Sequence, residues 1–303
     1  MTNNTPDTGR TPTTAPETPG AANRFSTGQP PVHLRNSEHD RDIDDYTAVI
    51  TSVSAPCPSI VRITAKLQGA RTNPAWSSAN VAIRLYLSER YGNHTRVYTV
   101  RDYLEETEEI VVDIVQHEHD SPMMLFSRDA HVGMQFSLTG PRVHFTIPPR
   151  PHGEPVALFA DATAIPALVS IFDRTDGDLS GELYLVAGDR AAVDEIPLPG
   201  GIRLTHIDPA DTDDPRPLDT CAKALPDPTS YVVWAAGERA EMTSIRSYFR
   251  NEVGMDKSRV SIAGYWRIGV GNDEIDRARK RFYERKLAEG ARLEDFNDLD
   301  VGI

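Results

Sequence analysis

The 303-residue chain is long enough for two domains of roughly 100 to 150 residues each, and its 39% hydrophobic and 25% charged content excludes wholesale disorder. Its 45 Asp and Glu against 32 Lys and Arg leave a net charge of -13, a repulsive field for the phosphates of nucleic acid and anionic lipid, so neither is expected as a partner. The only two cysteines, Cys57 and Cys221, are far apart, which excludes a disulfide framework and a four-thiolate metal or iron-sulfur site within one chain; redox chemistry would need another cofactor.

Residues 1–40 are rich in Thr, Pro, Asn and Gly, with little apolar beyond Phe25, Val32 and Leu34, and are expected to form a flexible tail. No apolar run approaches the roughly 20 residues that span a bilayer, and the start lacks the basic and apolar parts of a signal peptide. No membrane insertion is expected, and the cytoplasm is the expected location. Between Tyr46 and about Ile147 apolar residues alternate with period two, as in Val81, Ile83, Leu85 and Leu87, in Ile110, Val112 and Ile114, and in Met134, Phe136 and Leu138. This pattern predicts a half-buried antiparallel sheet, read here as a barrel over 41–150. Pro148, Pro149, Pro151 and Gly153 then break the chain and mark a domain boundary.

Over 151–303 the texture changes. Short apolar runs at Val156 to Phe159, Leu183 to Val186, Ile202 to Ile207, Tyr231 to Ala235 and Val260 to Ile262 predict a parallel sheet covered on both faces, a doubly wound α/β domain. Met242, Ile245, Phe249 and Val253 recur at helical spacing, and Asn272 to Leu287 reads as a charged helix touching the body through Ile275, Phe282 and Leu287. Ligands of such sheets lie at the carboxyl ends of the strands, which points to Asp161, Gly188 and Ala236 to Glu238 as the mouth of a site.

Four segments carry candidate chemistry. Arg96-Val97-Tyr98-Thr99-Val100-Arg101 is strand-like: an arginine suits a pyrophosphate, a tyrosine offers a flat face, and a threonine hydroxyl can bond a ring edge, although an exposed strand has the same alternation. Asp113-Ile114-Val115-Gln116-His117 and then Ser121-Pro122-Met123-Met124 read as a strand turning into a short helix, whose first amides lack partners and attract anions. Asp161 and Thr163, in Ala160-Asp161-Ala162-Thr163-Ala164-Ile165-Pro166-Ala167, can cap a helix or touch a ligand. Val233-Trp234-Ala235-Ala236-Gly237-Glu238 ends in small residues that let a cofactor approach the backbone, and Gly264-Tyr265-Trp266-Arg267-Ile268-Gly269 follows the next helix.

Together these segments resemble the siderophore-interacting proteins, flavoenzymes with a ferredoxin-reductase-like fold. The matching family patterns are Arg-x-Tyr-Thr-x-Arg, Gly-Asp-Glu-Thr-Ala-x-Pro-Ala, Trp-Ala-Ala-Gly-Glu and Gly-Tyr-Trp-Arg-x-Gly, in the same order. The chain departs from the family at Ala162, where a glutamate is usual, and at Ser121, Met123 and Met124, where glycine and small residues are usual. The resemblance implies a six-stranded barrel that binds FAD, followed by a nicotinamide domain with a C-terminal helix. It implies electron transfer from NADH or NADPH through FAD to a ferric siderophore, releasing ferrous iron, by a monomer without metal ligands or a catalytic acid or base.

The cofactor-binding residues implied are Arg96, Tyr98, Thr99, Val115, His117, Ser121, Pro122, Met123, Met124, Asp161, Thr163, Ala236, Gly237, Glu238, Tyr265 and Trp266. Arg259 and Arg267 are the candidates for capturing an anionic chelate. Asp189 and Arg190 follow a strand end where ribose recognition occurs, the acid suiting NADH and the base NADPH. Three other readings stay open: a general flavin or ferric reductase or electron-transfer partner, a relative without flavin that binds chelates or another protein, and a scaffold for oligomerisation.

Overall fold

The computed structural model describes residues 1, 43–116, 121–175, 178–270, 272–290 and 299. The expected tail, beyond residue 1, therefore lies outside the described residues, as does His117. Among the described residues no helix is long and apolar enough to cross a membrane.

Six strands, β1 (Asp44–Cys57), β2 (Ile60–Leu67), β3 (Val81–Tyr86), β4 (Thr95–Leu104), β5 (Glu109–Val115) and β6 (Gln135–Val143), close into an antiparallel barrel in the order β1-β2-β5-β4-β3-β6. The alternation explains the closure. Val81, Ile83 and Leu85 of β3, Ile110, Val112 and Ile114 of β5, and Phe136 and Leu138 of β6 all point into one core around Trp76. Helix α1 (Pro122–Asp129) buries Met123, Met124 and Phe126 in that same core.

The second unit is a five-stranded parallel sheet of β7 (Val156–Asp161), β8 (Ser180–Val186), β9 (Gly201–Ile207), β10 (Val232–Glu238) and β11 (Val260–Trp266), in the order β11-β10-β7-β8-β9. Its strands alternate between two separate cores. Val156, Leu158 and Ala160, with Val232, Trp234 and Ala236, face α2 (Ile165–Asp173) and α3 (Arg190–Asp194). Ala157 and Phe159, with Val233 and Ala235, face α4 (Pro217–Ala224) and α5 (Arg239–Ser247). Apolar side chains on both faces are why these strands read as unbroken apolar runs.

Met242, Ile245 and Phe249 are fully buried, and burial of each such side chain stabilises the fold by about 1.5 to 3 kcal/mol. The helix read through Val253 ends as an α-helix at Ser247 and continues as a wider π turn, Tyr248–Glu252, that keeps Phe249 in the core. Helix α6 (Asn272–Ala288) holds Ile275 buried and Phe282 half-buried; the side chain of Leu287 lies outside the described residues.

The two units interlock through polar groups. Ser59 N–H donates to Asp189 (3.0 Å), Arg174 to Asp102 (2.8 Å), and Asn80 N–H to the Ser170 hydroxyl (3.1 Å). Arg62 and Arg101 of the barrel meet Asp113 of β5 and Glu195, just beyond α3, in one buried ionic cluster. Cys57 and Ile60 extend the contact by packing into the core of the second unit.

Candidate functional site

One lip of the site is a split in the barrel wall. Pairing between β4 and β5 ends at Val100 and Val112. Toward its start β4 pairs with β3 from Thr95 to Thr99, whereas β5 runs on beside β2 to Val115. Arg96 and Tyr98 share one face of β4, in register with Leu85 and Ile83, and Thr99 lies on the other, in register with Ala82. The Arg96 guanidinium lies back along its own strand, donating to the Thr95 carbonyl at 2.7 Å. Tyr98 packs against the barrel core, and burial raises the pKa of its hydroxyl, which therefore stays neutral near pH 7.

Val115, half-buried, ends the opposite lip, and α1 starts just beyond it. Ser121 caps that helix, accepting from Met124 N–H at 3.3 Å, and Pro122 takes its first position, where no donor is needed. Met123 and Met124, the departures from the family pattern, bury their side chains in the barrel core, so they do not fill the space outside the helix start. An arginine, a flat tyrosine, a threonine hydroxyl, unpaired strand edges and helix-start amides are the donor set that a flavin dinucleotide needs. These residues fit FAD.

The other side is the carboxyl end of the parallel sheet, at the switch point between β7 and β10. Asp161, at the end of β7, accepts from Thr163 N–H (2.9 Å), the Thr163 hydroxyl (2.5 Å) and the Trp266 indole N–H (2.7 Å). Its burial raises its pKa. Glu238 caps α5 through Glu241 N–H at 3.0 Å and also accepts Ile268 N–H at 3.3 Å.

Gly237, expected to lie beside a cofactor, packs directly against Asp161. A Cβ there would lie 2.7 Å from the Asp161 carboxylate, so the room that this glycine leaves is taken by Asp161. Asp161 and Glu238 thus hold the mouth in shape, while Ala236 lies buried behind it and Trp266 stands at the rim, 37% exposed.

The two sides meet at Tyr265. Its hydroxyl donates to the Asn80 side-chain oxygen at 3.5 Å, and burial pushes its pKa up to about 12, with the nearby Asn80 and Thr99 side chains holding it back. Thr99 of the barrel lip and the end of β11 therefore form one place. Arg267, half-exposed in the turn that brings it back to Val270, stands next to Trp266 at this rim.

Arg259 does not join them. It precedes β11 at the amino end of the sheet and donates to the Tyr231 carbonyl at 2.8 Å, so a full strand separates it from the mouth. Asp189 is likewise engaged, capping α3 through Ala191 N–H while its other oxygen accepts from Ser59, and Arg190 pairs with Asp194 at 2.8 Å. Sequence reasoning missed Asn80, buried with a left-handed φ of 52°. The available signal was a short polar residue tolerant of that conformation directly before a strand.

Behind the mouth, Glu241 accepts N–H groups of Leu218 (2.8 Å) and Asp219 (3.1 Å) at the start of α4. Its pKa is pushed up from 4.5 to about 7, chiefly by burial, with the Asp161 and Asp219 carboxylates adding to the shift. A raised carboxyl pKa means that the folded state holds the proton longer than the unfolded one. The native state is therefore penalised as pH rises from about 4.5 to 7, and the penalty is complete above 7. Urea unfolding of E241Q beside the parent is expected to show the variant gaining on the order of 2 to 3 kcal/mol relative to the parent between pH 4 and pH 8. A stability difference independent of pH would contradict this.

Residues 59–145 match the family model of the siderophore-interacting FAD-binding domain, and residues 154–269 match that of the siderophore-interacting protein. The chain is 33% identical over 271 residues to the ferric acinetobactin reductase of Acinetobacter baumannii, covering 88% of this chain and 94% of that one. It is 26% identical over 185 residues to a ferric vibriobactin reductase of Vibrio cholerae, covering 59% and 66% of the two chains. The solved structure of the siderophore-interacting protein from Acinetobacter baumannii superposes with a TM-score of 0.76 at 33% identity, over 82% of this chain and all of that one.

Proposed function

Because the chain belongs to the siderophore-interacting protein family, with the family's FAD-binding domain in its barrel, we propose that it is an NAD(P)H-dependent, FAD-containing reductase that reduces ferric siderophores in the cytoplasm and so frees ferrous iron. The observation that carries this reading is the meeting of the barrel lip and the strand-end mouth at Tyr265, through its bond to Asn80 beside Thr99. A hydride donor lying over the parallel sheet and a flavin held by the barrel would there be adjacent.

When bound, FAD supplies the conversion between a two-electron hydride donor and a one-electron metal acceptor. The chain's own residues do the rest by binding and positioning. Arg96 and the first amides of α1 would hold the phosphates of FAD, Tyr98 would offer its flat face to the ring, and Thr99 would address the ring edge. Trp266, fixed by Asp161, forms the rim over which NADH or NADPH enters.

Ferric iron arrives as substrate, already held by the hard oxygen donors of its chelator, so the protein needs no iron ligands of its own. Arg267 at the rim draws in an anionic chelate against the acidic background of the chain. Hydride and electron transfer call for no catalytic acid or base, and the enzyme acts as a monomer.

The visible spectrum of the purified protein, before and after FAD addition, tests the reading. Bound flavin is expected to bleach with NADH or NADPH without oxygen and to regain its colour on adding a ferric siderophore, with ferrous iron appearing in a trap. A protein that stays colourless with FAD would overturn the enzyme reading and leave a chelate-binding relative. Bleaching without reoxidation by the chelate would instead favour a different acceptor.

A further inference from the structure

Away from the mouth, the two units enclose a cleft of about 330 Å³ that no step proposed above uses. Its walls come from Ala79 just before β3, from Ile147 and Arg150 in the linker between the units, and from Ile171, Arg174 and Leu179 at the end of α2 and beyond it. Helix α2 begins next to the strand-end mouth and runs away from it for nine residues, so its last turn lies roughly 13 Å from its start. The cleft is therefore a place apart from the flavin and nicotinamide surfaces. Its volume is at the lower end of the range for small-molecule sites, too small for either dinucleotide.

Two arginines reach the cleft. The Arg174 side chain, 18% exposed, donates to Asp102 at 2.8 Å and to the Ser170 hydroxyl at 3.5 Å. Arg150 donates to two backbone carbonyls, those of Glu154 and Asp178, both at 3.2 Å. Carbonyls fix a guanidinium in place without neutralising it, and among the described residues no carboxylate pairs with Arg150. Two guanidiniums against the single Asp102 carboxylate leave one positive charge uncompensated, in a chain whose net charge is -13.

The carbonyl end of α2 would repel an anion, but its carbonyls are occupied. That of Ile171 takes the Arg174 N–H at 3.2 Å and the Thr175 hydroxyl at 2.6 Å, and that of Phe172 takes the Thr175 N–H at 3.5 Å. The remaining lining is mainly apolar, with Ile171 and Leu179 buried and Ile147 half-buried.

We propose that this cleft binds a small organic acid, with its carboxylate or phosphate head on Arg150 and Arg174 and its apolar body against Ile147, Ile171 and Leu179. The occupant touches the barrel, the linker and the α/β unit at once, and so stabilises the joint between them. The inference goes beyond the reductase reading and does not rest on it.

The test is the thermal midpoint of the full chain with excess FAD present, read against sodium chloride at matched ionic strength. The probes are benzoate, phenyl phosphate and inorganic phosphate. Benzoate or phenyl phosphate at about ten times its dissociation constant is expected to raise the midpoint by roughly 2 °C. Benzoate acting alone identifies a carboxylic acid as the ligand class, phenyl phosphate alone a phosphate monoester. Inorganic phosphate, a head without a body, should do less.

Arg150→Gln removes the charge and keeps an amide donor for the two carbonyls. Its own midpoint should stay near the parent's, while its affinity for the active probe, measured by isothermal titration, falls roughly 10-fold or more. Arg150→Lys should restore most of that affinity. Ala79→Leu fills the cleft without touching a charge and should weaken binding by a similar factor.

No rise over chloride with either organic probe would overturn the proposal. An equal rise in Arg150→Gln would also sink it, by placing the anion elsewhere, and inorganic phosphate matching phenyl phosphate would remove the apolar half of the site. Should Ala79→Leu fail to fold, the two Arg150 variants decide. Binding is read here without turnover, so a failure of the reductase reading leaves the result intact.

Discussion

Replacing Asp113 by alanine is expected to destabilise the protein by about 3 to 5 kcal/mol, because it leaves two buried arginines short of a counter-charge. The Asp113 side chain is fully buried, with Arg62 at 2.7 and 3.0 Å and Arg101 at 3.1 Å. Those arginine side chains are only 20% and 11% exposed. Asp113 raises the pKa of Arg62 further above its already high value, so the arginine cannot shed its charge to escape. Glu195, which also binds Arg62 and lies 3.2 Å from Arg101, would then face two cations by itself within this cluster.

For a chain of this size the thermal midpoint should fall by roughly 5 to 8 °C. A second comparison separates the charge argument from simple packing. Removing all four charges together, as in Arg62→Met, Asp113→Leu, Arg101→Met and Glu195→Gln, should cost less than Asp113→Ala alone, since no charge of the cluster is then left unpaired. Calorimetry of the two variants decides it. An Asp113→Ala protein with an unchanged midpoint would mean that water reaches the cluster and screens it.

The second large effect is expected at Arg96. If it holds the flavin pyrophosphate, Arg96→Ala removes charge-assisted hydrogen bonds worth about 1.5 to 3 kcal/mol, and the FAD dissociation constant should rise roughly 10- to 100-fold. Arg96→Lys should fall between, keeping the charge but losing the planar fork that addresses two phosphate oxygens at once. The weakening should shrink as salt is raised, because screening reduces what the charge contributes in the parent. Fluorescence titration of the apoprotein with FAD gives all three numbers. Wild-type affinity in Arg96→Ala would remove this residue from the site and leave the start of α1 as the main phosphate anchor.

The fold was largely legible in the chain because both architectures write their periodicity into it. Alternation at Val81, Ile83 and Leu85 reflects one face in a barrel core, and the continuous run Val156 to Phe159 reflects a strand with a core on each side. The motifs at Arg96 to Thr99, Asp161, Gly237 and Tyr265-Trp266 were legible too, since each is a compact string of chemically distinctive residues at the end or edge of a strand.

The roles within those strings were less legible. Asp161 and Glu238 look like ligand carboxylates in the sequence, yet they bond Trp266, Thr163, Glu241 and Ile268, because a strand end next to a helix start is crowded with amides and an indole that need acceptors.

What the sequence determined by itself was therefore the two architectures, their order and the short strings that meet at the site. Only the tertiary structure decided which members of those strings face the site. Arg101 belongs to the same motif as Arg96, but the register between β4 and β5 shifts between Val100 and Asp102, and its side chain goes to the buried cluster with Asp113 and Glu195. Arg259 and Arg267 flank one strand, and the direction of that strand sends them to opposite ends of the sheet. Asn80 carries no motif at all; it matters because β6, α2 and β11 converge on it. Local patterns report periodicity and backbone preference, which act over a few residues, whereas the partner of a polar side chain is set by which distant segments the packing brings within about 3 Å.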